Sequence, residues 1–246
     1  MAHGHEDFHR RTEVFITADD IDLNELAVRL GSIVNFDRLG RVIFANGFEG
    51  SLGAFAPNKY GVGSISEKTE DSVKNGAYGV QLTTGAVNNA LAGMSRYQPI
   101  PFHPRVGFEI SFTFNKDFQR YWFILNHHTG LHRYLYNVQL EYFYDSVLKV
   151  MQIYTPDGWV AITPTPRFRE SVRLFHTLKM VVDFDMKKYA HLLINNISYD
   201  LSAYTPWWLG DETVHPYIHA QIQVDGSASG AETCYIDDFI LTDSEP

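Results

Sequence analysis

From Val106 to Phe114 every second residue is apolar and mostly large. Val106, Phe108, Ile110, Phe112 and Phe114 alternate with Gly107, Glu109, Ser111 and Thr113. A period of two puts the first set on one face of a β-strand and the second on the other, a division no helix makes. The same rhythm returns in "RYWFILNHH", "YNVQLEYFY", "LKVMQIYT", "GWVAIT", "TLKMVVDFD", "AHLLINNISYDLS", "HAQIQVDG" and "CYIDDFILTD". Turn signals separate the runs. In "YTPDGWV" proline fixes φ and glycine admits positive φ, and Asn195-Asn196 predicts a tight hairpin. Many short strands, little helix and 14% aromatic residues predict an all-β fold, an antiparallel β-sandwich of jelly-roll type.

One stretch departs from this period. In "TADDIDLNELAVRLG", Leu23, Leu26, Ala27 and Leu30 recur at helical spacing, with Asp19 and Asp20 as capping carboxylates and Gly31 as a stop. A short N-terminal helix is expected there, in an arm over residues 1–35 that precedes one sandwich domain over 36–246. Its single apolar stripe must pack on the main body or on a neighbouring subunit, so a homo-oligomer formed through the arm is one expectation. His3, His5 and His9 read as a solvated terminus rather than as metal ligands.

A net charge of −9 opposes binding to nucleic acid or to an anionic membrane surface. Cys234 is the only cysteine, which excludes an intramolecular disulfide and cysteine-based zinc sites. No run approaches the ~18 apolar residues of a membrane span, and "MAHGHEDFHRRTEV" has no apolar core of a secretory signal. A soluble protein, cytoplasmic by default, is the expectation.

"GRVIFANGFEGSLGAF", then "GAYGVQLTT" and a closing "YIDDFILTD" resemble the opening and closing strands of jelly-roll carbohydrate-binding modules. "FHTLKMVVDFDMKKYAHLLINNISYDLS" is similar to the concanavalin A-like lectin/glucanase and laminin-G pattern, and the span from Gly40 to Asp243 suits that longer sandwich. The resemblance implies glycan binding. It also implies a structural calcium where the first and last strands meet, held by Glu49 with Asp237 or Asp238. Carboxylates from separated segments suit a hard cation that takes about 6–8 oxygens. On a regular strand Asp237 shares a face with Tyr235, Phe239 and Leu241, and Asp238 with Cys234, Ile236 and Ile240. Each carboxylate then interrupts an apolar face and needs a partner. Backbone N–H groups or Lys/Arg are the alternative to calcium.

Glucanases of this resemblance carry a Glu-x-Asp-x-(x)-Glu strand, which is absent here, and Glu109 and Glu141 stand singly in their strands. Lyases on the scaffold carry Gln-Ile-His, where this chain has Gln221-Ile222-Gln223. Glu141 and Asp145 share a side only if their strand stays regular. A non-catalytic, lectin-like carbohydrate-binding protein is therefore the first expectation. A glycan-active hydrolase or lyase with an atypical site is one alternative, and a structural protein that assembles into a homo-oligomer is another.

Two stretches supply candidate binding residues. In "NHHTGLHRY", Asn126, His127, His128, His132 and Arg133 crowd one inter-strand connection, predicted as a polar loop that touches a sugar or a partner subunit; neutral histidine also binds transition metals. In "YTPWWLGDETVHPYIH", Tyr204, Trp207, Trp208 and Tyr217 lie in a loop beside Asp211 and Glu212. Trp and Tyr stack on the apolar faces of sugar rings while polar neighbours bond the hydroxyls. One of the two tryptophans is expected to be buried as a plug of the sandwich. "NKYGVGSISEKTEDSVKNGAYG" is glycine-rich without phosphate-loop spacing and reads as a surface connection with an edge strand.

Overall fold

The computed structural model describes residues 40–87, 89–101, 103–115, 117–142, 149–210, 215–226 and 230–246. The expected N-terminal helix, His3, His5, His9, Asp145, Asp211 and Glu212 lie outside the described residues. The chain runs through β1 (Arg41–Asn46), a 3-10 turn (Leu52–Ala54), β2 (Ala56–Tyr60), β3 (Ile65–Thr69), β4 (Gly79–Thr83), β5 (Leu91–Gln98), β6 (Arg105–Phe114), β7 (Arg120–His128) and β8 (His132–Tyr142). It continues through β9 (Lys149–Thr155), β10 (Gly158–Ala161), β11 (Ser171–Asp183), β12 (Lys188–Ile194), β13 (Ile197–Asp200), β14 (Trp207–Gly210), β15 (Tyr217–Asp225) and β16 (Thr233–Asp243).

Two antiparallel sheets result. The first has the order β13-β12-β11-β6-β16-β4-β3, with β1 beside β16; the second has the order β10-β9-β8-β7-β15-β5-β2, with β14 beside β8. Their inner faces share one core. Phe112 on β6 meets Phe123 on β7 with ring centroids 5.0 Å apart, and Tyr189 on β12 donates its hydroxyl to the Tyr154 carbonyl of the second sheet at 2.8 Å. Val106, Phe108, Ile110, Phe112 and Phe114 all lie in this core, as their alternation predicts. Each fully buried phenylalanine contributes about 1.5–3 kcal/mol relative to leaving it exposed.

The predicted turns form where the sequence places them. Gly158, at φ +103, closes the β9–β10 turn, and Asn195, at φ +54, closes the β12–β13 hairpin. The glycine-rich stretch supplies β2 and β3, the outermost strands on one side of each sheet. Among the described residues no helix is long and apolar enough to cross a membrane.

The last strand departs from its expected alternation. A bulge between Asp237 and Ile240, with Asp238 at φ +50, adds one residue to β16. The pleat therefore shifts by one, and Cys234, Ile236, Phe239 and Leu241 all face the core. The face assignment of Asp237 and Asp238 from a regular strand is thus corrected, for neither carboxylate interrupts the apolar face. On the same sheet Lys179 and Glu245 form a buried pair at 2.7 Å, which ties the C-terminal residues to β11.

Candidate functional site

The outer face of the second sheet carries rows of ordered polar side chains. Strands in its middle turn alternate residues outward. β7 presents Arg120, Trp122, Ile124, Asn126 and His128; β8 presents Arg133, Asn137, Gln139 and Glu141; β15 presents Tyr217, His219, Gln221, Gln223 and Asp225. Register puts Asn126 beside His219, and Gln223 beside Trp122, so these rows lie side by side.

Side-chain amides line the floor. Gln221 Nε2 donates to Gln223 Oε1 at 2.8 Å, and Gln223 Nε2 to Asp225 Oδ1 at 2.9 Å. Trp122 Nε1 donates to Asp225 Oδ2 at 2.7 Å, Gln139 Nε2 to Gln152 Oε1 at 2.7 Å, and Arg120 Nε to Glu141 Oε1 at 2.9 Å. Burial pushes the Asp225 carboxyl above the usual range against the pull of these donors. Asn126 Oδ1, Asn137 Oδ1, Gln139 Oε1 and His219 Nε2 are buried and have no hydrogen-bond partner among the described residues. A buried polar atom left unpaired costs about 1–3 kcal/mol, so these groups call for water or a ligand as partner.

Aromatic groups flank the amides on both sides. Toward β5, Tyr97 stacks on His219 at 4.6 Å and Tyr217 on His128 at 4.1 Å. Toward β10, Trp122 meets Trp159 at 5.3 Å, Tyr154 meets Trp159 at 4.7 Å, and Tyr154 meets Trp207 at 5.8 Å. Trp122, Tyr154, Trp159 and Trp207 are all half-buried, which leaves ring surface open.

The eight candidate binding residues fall in three places. Tyr217, His128, Arg133 and Trp207 belong to this outer face. His127 points the other way, stacked at 4.0 Å on Phe184, and Tyr204 packs against the core. Trp208 and His132 meet each other at 5.3 Å in a separate recess. The polar loop expected at "NHHTGLHRY" is corrected: these residues end β7 and begin β8, with residues 129–131 as the turn. Strand alternation is what sends neighbouring histidines to opposite faces. Trp207 and Trp208 likewise sit on strand β14, and neither is a buried plug, since Trp207 is half-buried and Trp208 is 53% exposed.

Burial, then His128 and Arg133 nearby, lower the His219 imidazole to about 4; burial, His128 and Lys187 do the same for His127. A folded pKa below the unfolded value of about 6.5 gives stability that is present above pH 6.5 and lost as the pH falls toward 4. His219→Gln is expected to lose about 3 kcal/mol less than the wild type between pH 6.5 and 4, from roughly 2.5 pKa units at 1.36 kcal/mol each. Urea titrations at the two pH values measure it; equal losses would remove the buried neutral imidazole from the account.

Glu49, Asp237 and Asp238 converge on residues 74–78, and Asp237 Oδ1 also accepts from Asp238 N at 2.8 Å. Glu49 Oε1 accepts from Ala77 N at 2.9 Å and Tyr78 N at 3.0 Å. Asp237 Oδ2 accepts from Lys74 N at 2.9 Å and Asn75 N at 3.1 Å, and Asp238 Oδ2 from Lys74 Nζ at 2.5 Å. Gly76 must be glycine here, at φ +73 and with Glu49 Oε1 only 2.1 Å from where a Cβ would lie. The ammonium of Lys68 takes the carbonyls of Glu49 and Gly50 at 2.6 and 3.0 Å. Two ammonium groups thus stand where a cation would, and the donor set does not fit calcium, which needs those oxygens itself. Among the described residues no group of three or more His, Cys, Asp or Glu could hold a metal ion.

No family model matches the chain, and no curated protein matches it. Solved structures do. The cellulose induced protein Cip1 superposes with TM-score 0.54 at 9% identity, over 81% of this chain and 97% of that one. The endo-β-1,4-glucuronan lyase of the fungus Trichoderma reesei superposes with TM-score 0.53 at 8% identity, over 82% of this chain and 96% of that one. The shared fold is an antiparallel β-sandwich of two sheets. The potassium-bound carbohydrate recognition domain of Emp46p is similar at TM-score 0.47 and 13% identity, over 78% of this chain and 89% of that one.

Proposed function

We propose that the outer face of the second sheet is a glycan-binding groove, and that the chain is a lectin-like carbohydrate-binding protein. The observation that carries this reading is the buried amide floor with unpaired acceptors at Asn126, Asn137 and Gln139, walled by aromatic rings. Sugar hydroxyls both donate and accept, so they suit such a floor, while the C–H faces of the rings stack on Trp122, Trp159 and Trp207. Five strand-to-strand steps of ~4.8 Å separate Tyr97 on β5 from Trp159 on β10, about 24 Å in all, which favours an oligosaccharide over a single sugar. Structural calcium has no part in this reading, because backbone N–H groups bond the carboxylates of Glu49 and Asp237, Lys74 bonds that of Asp238, and Lys68 takes the nearby carbonyls.

A second reading, β-elimination on a uronate chain, has one specific support. At one end of the groove Tyr217, His128, His219 and Tyr97 stack together near Arg133. A His219 lowered to about 4 is a neutral base at neutral pH, and an arginine nearby is the group that neutralises a carboxylate. The name of the glucuronan lyase is consistent with that chemistry but shows only a shared fold.

Affinity electrophoresis against a panel of neutral and uronate polysaccharides, followed by ultraviolet assay for an unsaturated product, tests both. Retardation without product is the expected result for the first reading. Retardation lost in Asn137→Ala/Gln139→Ala would place it in the groove, product formation would move the chain to the second reading, and no retardation by any glycan would sink both.

A further inference from the structure

Trp208 and His132 lie outside the groove, yet their surroundings are not those of an idle surface. They help line a recess of about 470 Å³ at one end of the sandwich, with Tyr134, Pro156, Thr205, Pro206, Met186 and Lys187. Its walls come from both sheets. His132 and Tyr134 are on β8 and Trp208 on β14, whereas Met186 and Lys187 form the turn between β11 and β12. The size falls within the range of small-molecule sites, about 300–1,000 Å³.

The lining is apolar and aromatic, with cationic or proton-bearing groups at its edge. Trp208 is 53% and Met186 65% exposed, an unusual amount of apolar surface to leave in water beside a concavity. The Lys187 ammonium stands 5.1 Å from the Tyr134 ring centroid, and no carboxylate pairs with it among the described residues. Its turn is fixed beforehand: Asp183 Oδ1 accepts from Met186 N at 2.8 Å, and Lys187 sits at φ +52, where a side chain is rarely found unless the surroundings impose it. The His132 ring lies 5.3 Å from Trp208 and 6.1 Å from Tyr134, so it faces the same space.

We propose that this recess is a second binding site, separate from the groove, for a sugar residue that carries an anionic group. The Trp208 ring stacks on the apolar face of the sugar, and Lys187 pairs with the charge at the opposite wall. A neutral sugar would gain the stacking alone. An anion without a ring would gain only a solvent-screened ion pair, worth about 0–1 kcal/mol.

Titration with methyl β-D-glucuronide and methyl β-D-glucoside, followed through the Trp208 indole N–H resonance, decides it. Glucuronide is expected to shift that resonance with about three- to fivefold higher affinity than glucoside, an advantage of up to ~1 kcal/mol. Lys187→Gln should erase the difference between the two sugars, and Trp208→Ala should abolish saturable binding at the recess, seen through the Met186 methyl resonance. Both side chains are exposed, so both variants are expected to fold. Trp122→Ala, which damages only the groove, should leave the recess titration unchanged, so the two sites fail independently. An unmoved Trp208 resonance, equal response to the two sugars, or undiminished selectivity in Lys187→Gln would each overturn the proposal.

Discussion

Replacing Trp122 and Trp159 together by alanine is expected to weaken polysaccharide binding at the groove by at least about 100-fold. The two rings meet edge to face at 5.3 Å and are both half-buried, so each supports the other and together they offer one platform. Truncating a well-packed aromatic anchor of a binding surface costs about 2 kcal/mol or more, and each 1.4 kcal/mol is tenfold. The rings are in contact, so the single variants will not sum to the double. Trp122→Phe separates two contributions, since it keeps a ring but removes the Nε1–H that Asp225 Oδ2 accepts at 2.7 Å. Its expected loss is intermediate, because Asp225 keeps the Gln223 amide on Oδ1 but loses its donor on Oδ2, which disturbs the floor without removing the stacking surface. Retardation coefficients on polysaccharide gels measure all three variants. Wild-type retardation by the double variant would remove the aromatic wall from the groove.

Why the sequence revealed the scaffold more readily than the site follows from particular strands. The alternation in Val106–Phe114 is legible because burial on one face is a one-dimensional signal, and the turns at Gly158 and Asn195 are legible because positive φ restricts residue type. The bulge at Asp238 is not, since one extra residue leaves the composition of β16 unchanged and is decided only by pairing with β6. The floor of the proposed groove stands in the sequence as Asn137-x-Gln139-x-Glu141 and Gln221-x-Gln223-x-Asp225. These amides read as the ordinary polar side of two strands until the topology sets both beside β7, 84 residues of chain separating Gln139 from Gln223. Residues crowded in sequence misled for the converse reason: His127 and His128 are adjacent in the chain and face opposite sides of a sheet. Clustering in sequence identifies a site only where the backbone does not alternate.

Lys74→Met is expected to lower the unfolding free energy by about 3–5 kcal/mol, the usual cost of removing one partner from a buried ion pair. Lys74 Nζ sits 2.5 Å from Asp238 Oδ2, the two side chains are 24% and 6% exposed, and Ser111 Oγ shares the ammonium at 3.0 Å. Methionine keeps the aliphatic stem, so the loss comes from the charge rather than from packing. Asp237 beside it aggravates the effect, because burial and Asp238 already push its carboxyl up to about 7. The double variant Lys74→Met/Asp238→Asn, which removes both charges, should recover most of the stability, as replacing both members of a buried pair usually does. Chelation distinguishes this ammonium clasp from a metal one. Excess EDTA should leave the melting temperature of the wild type unchanged, because residues 74–78 are held by N–H groups and by lysine, which no chelator removes. A wild-type melting temperature that falls with EDTA and returns with calcium would mean that the carboxylates of Glu49, Asp237 and Asp238 close around a cation after all, with Lys74 displaced. In that case Lys74→Met would cost far less than the expected 3–5 kcal/mol, so the denaturation midpoint and the chelator response must change together.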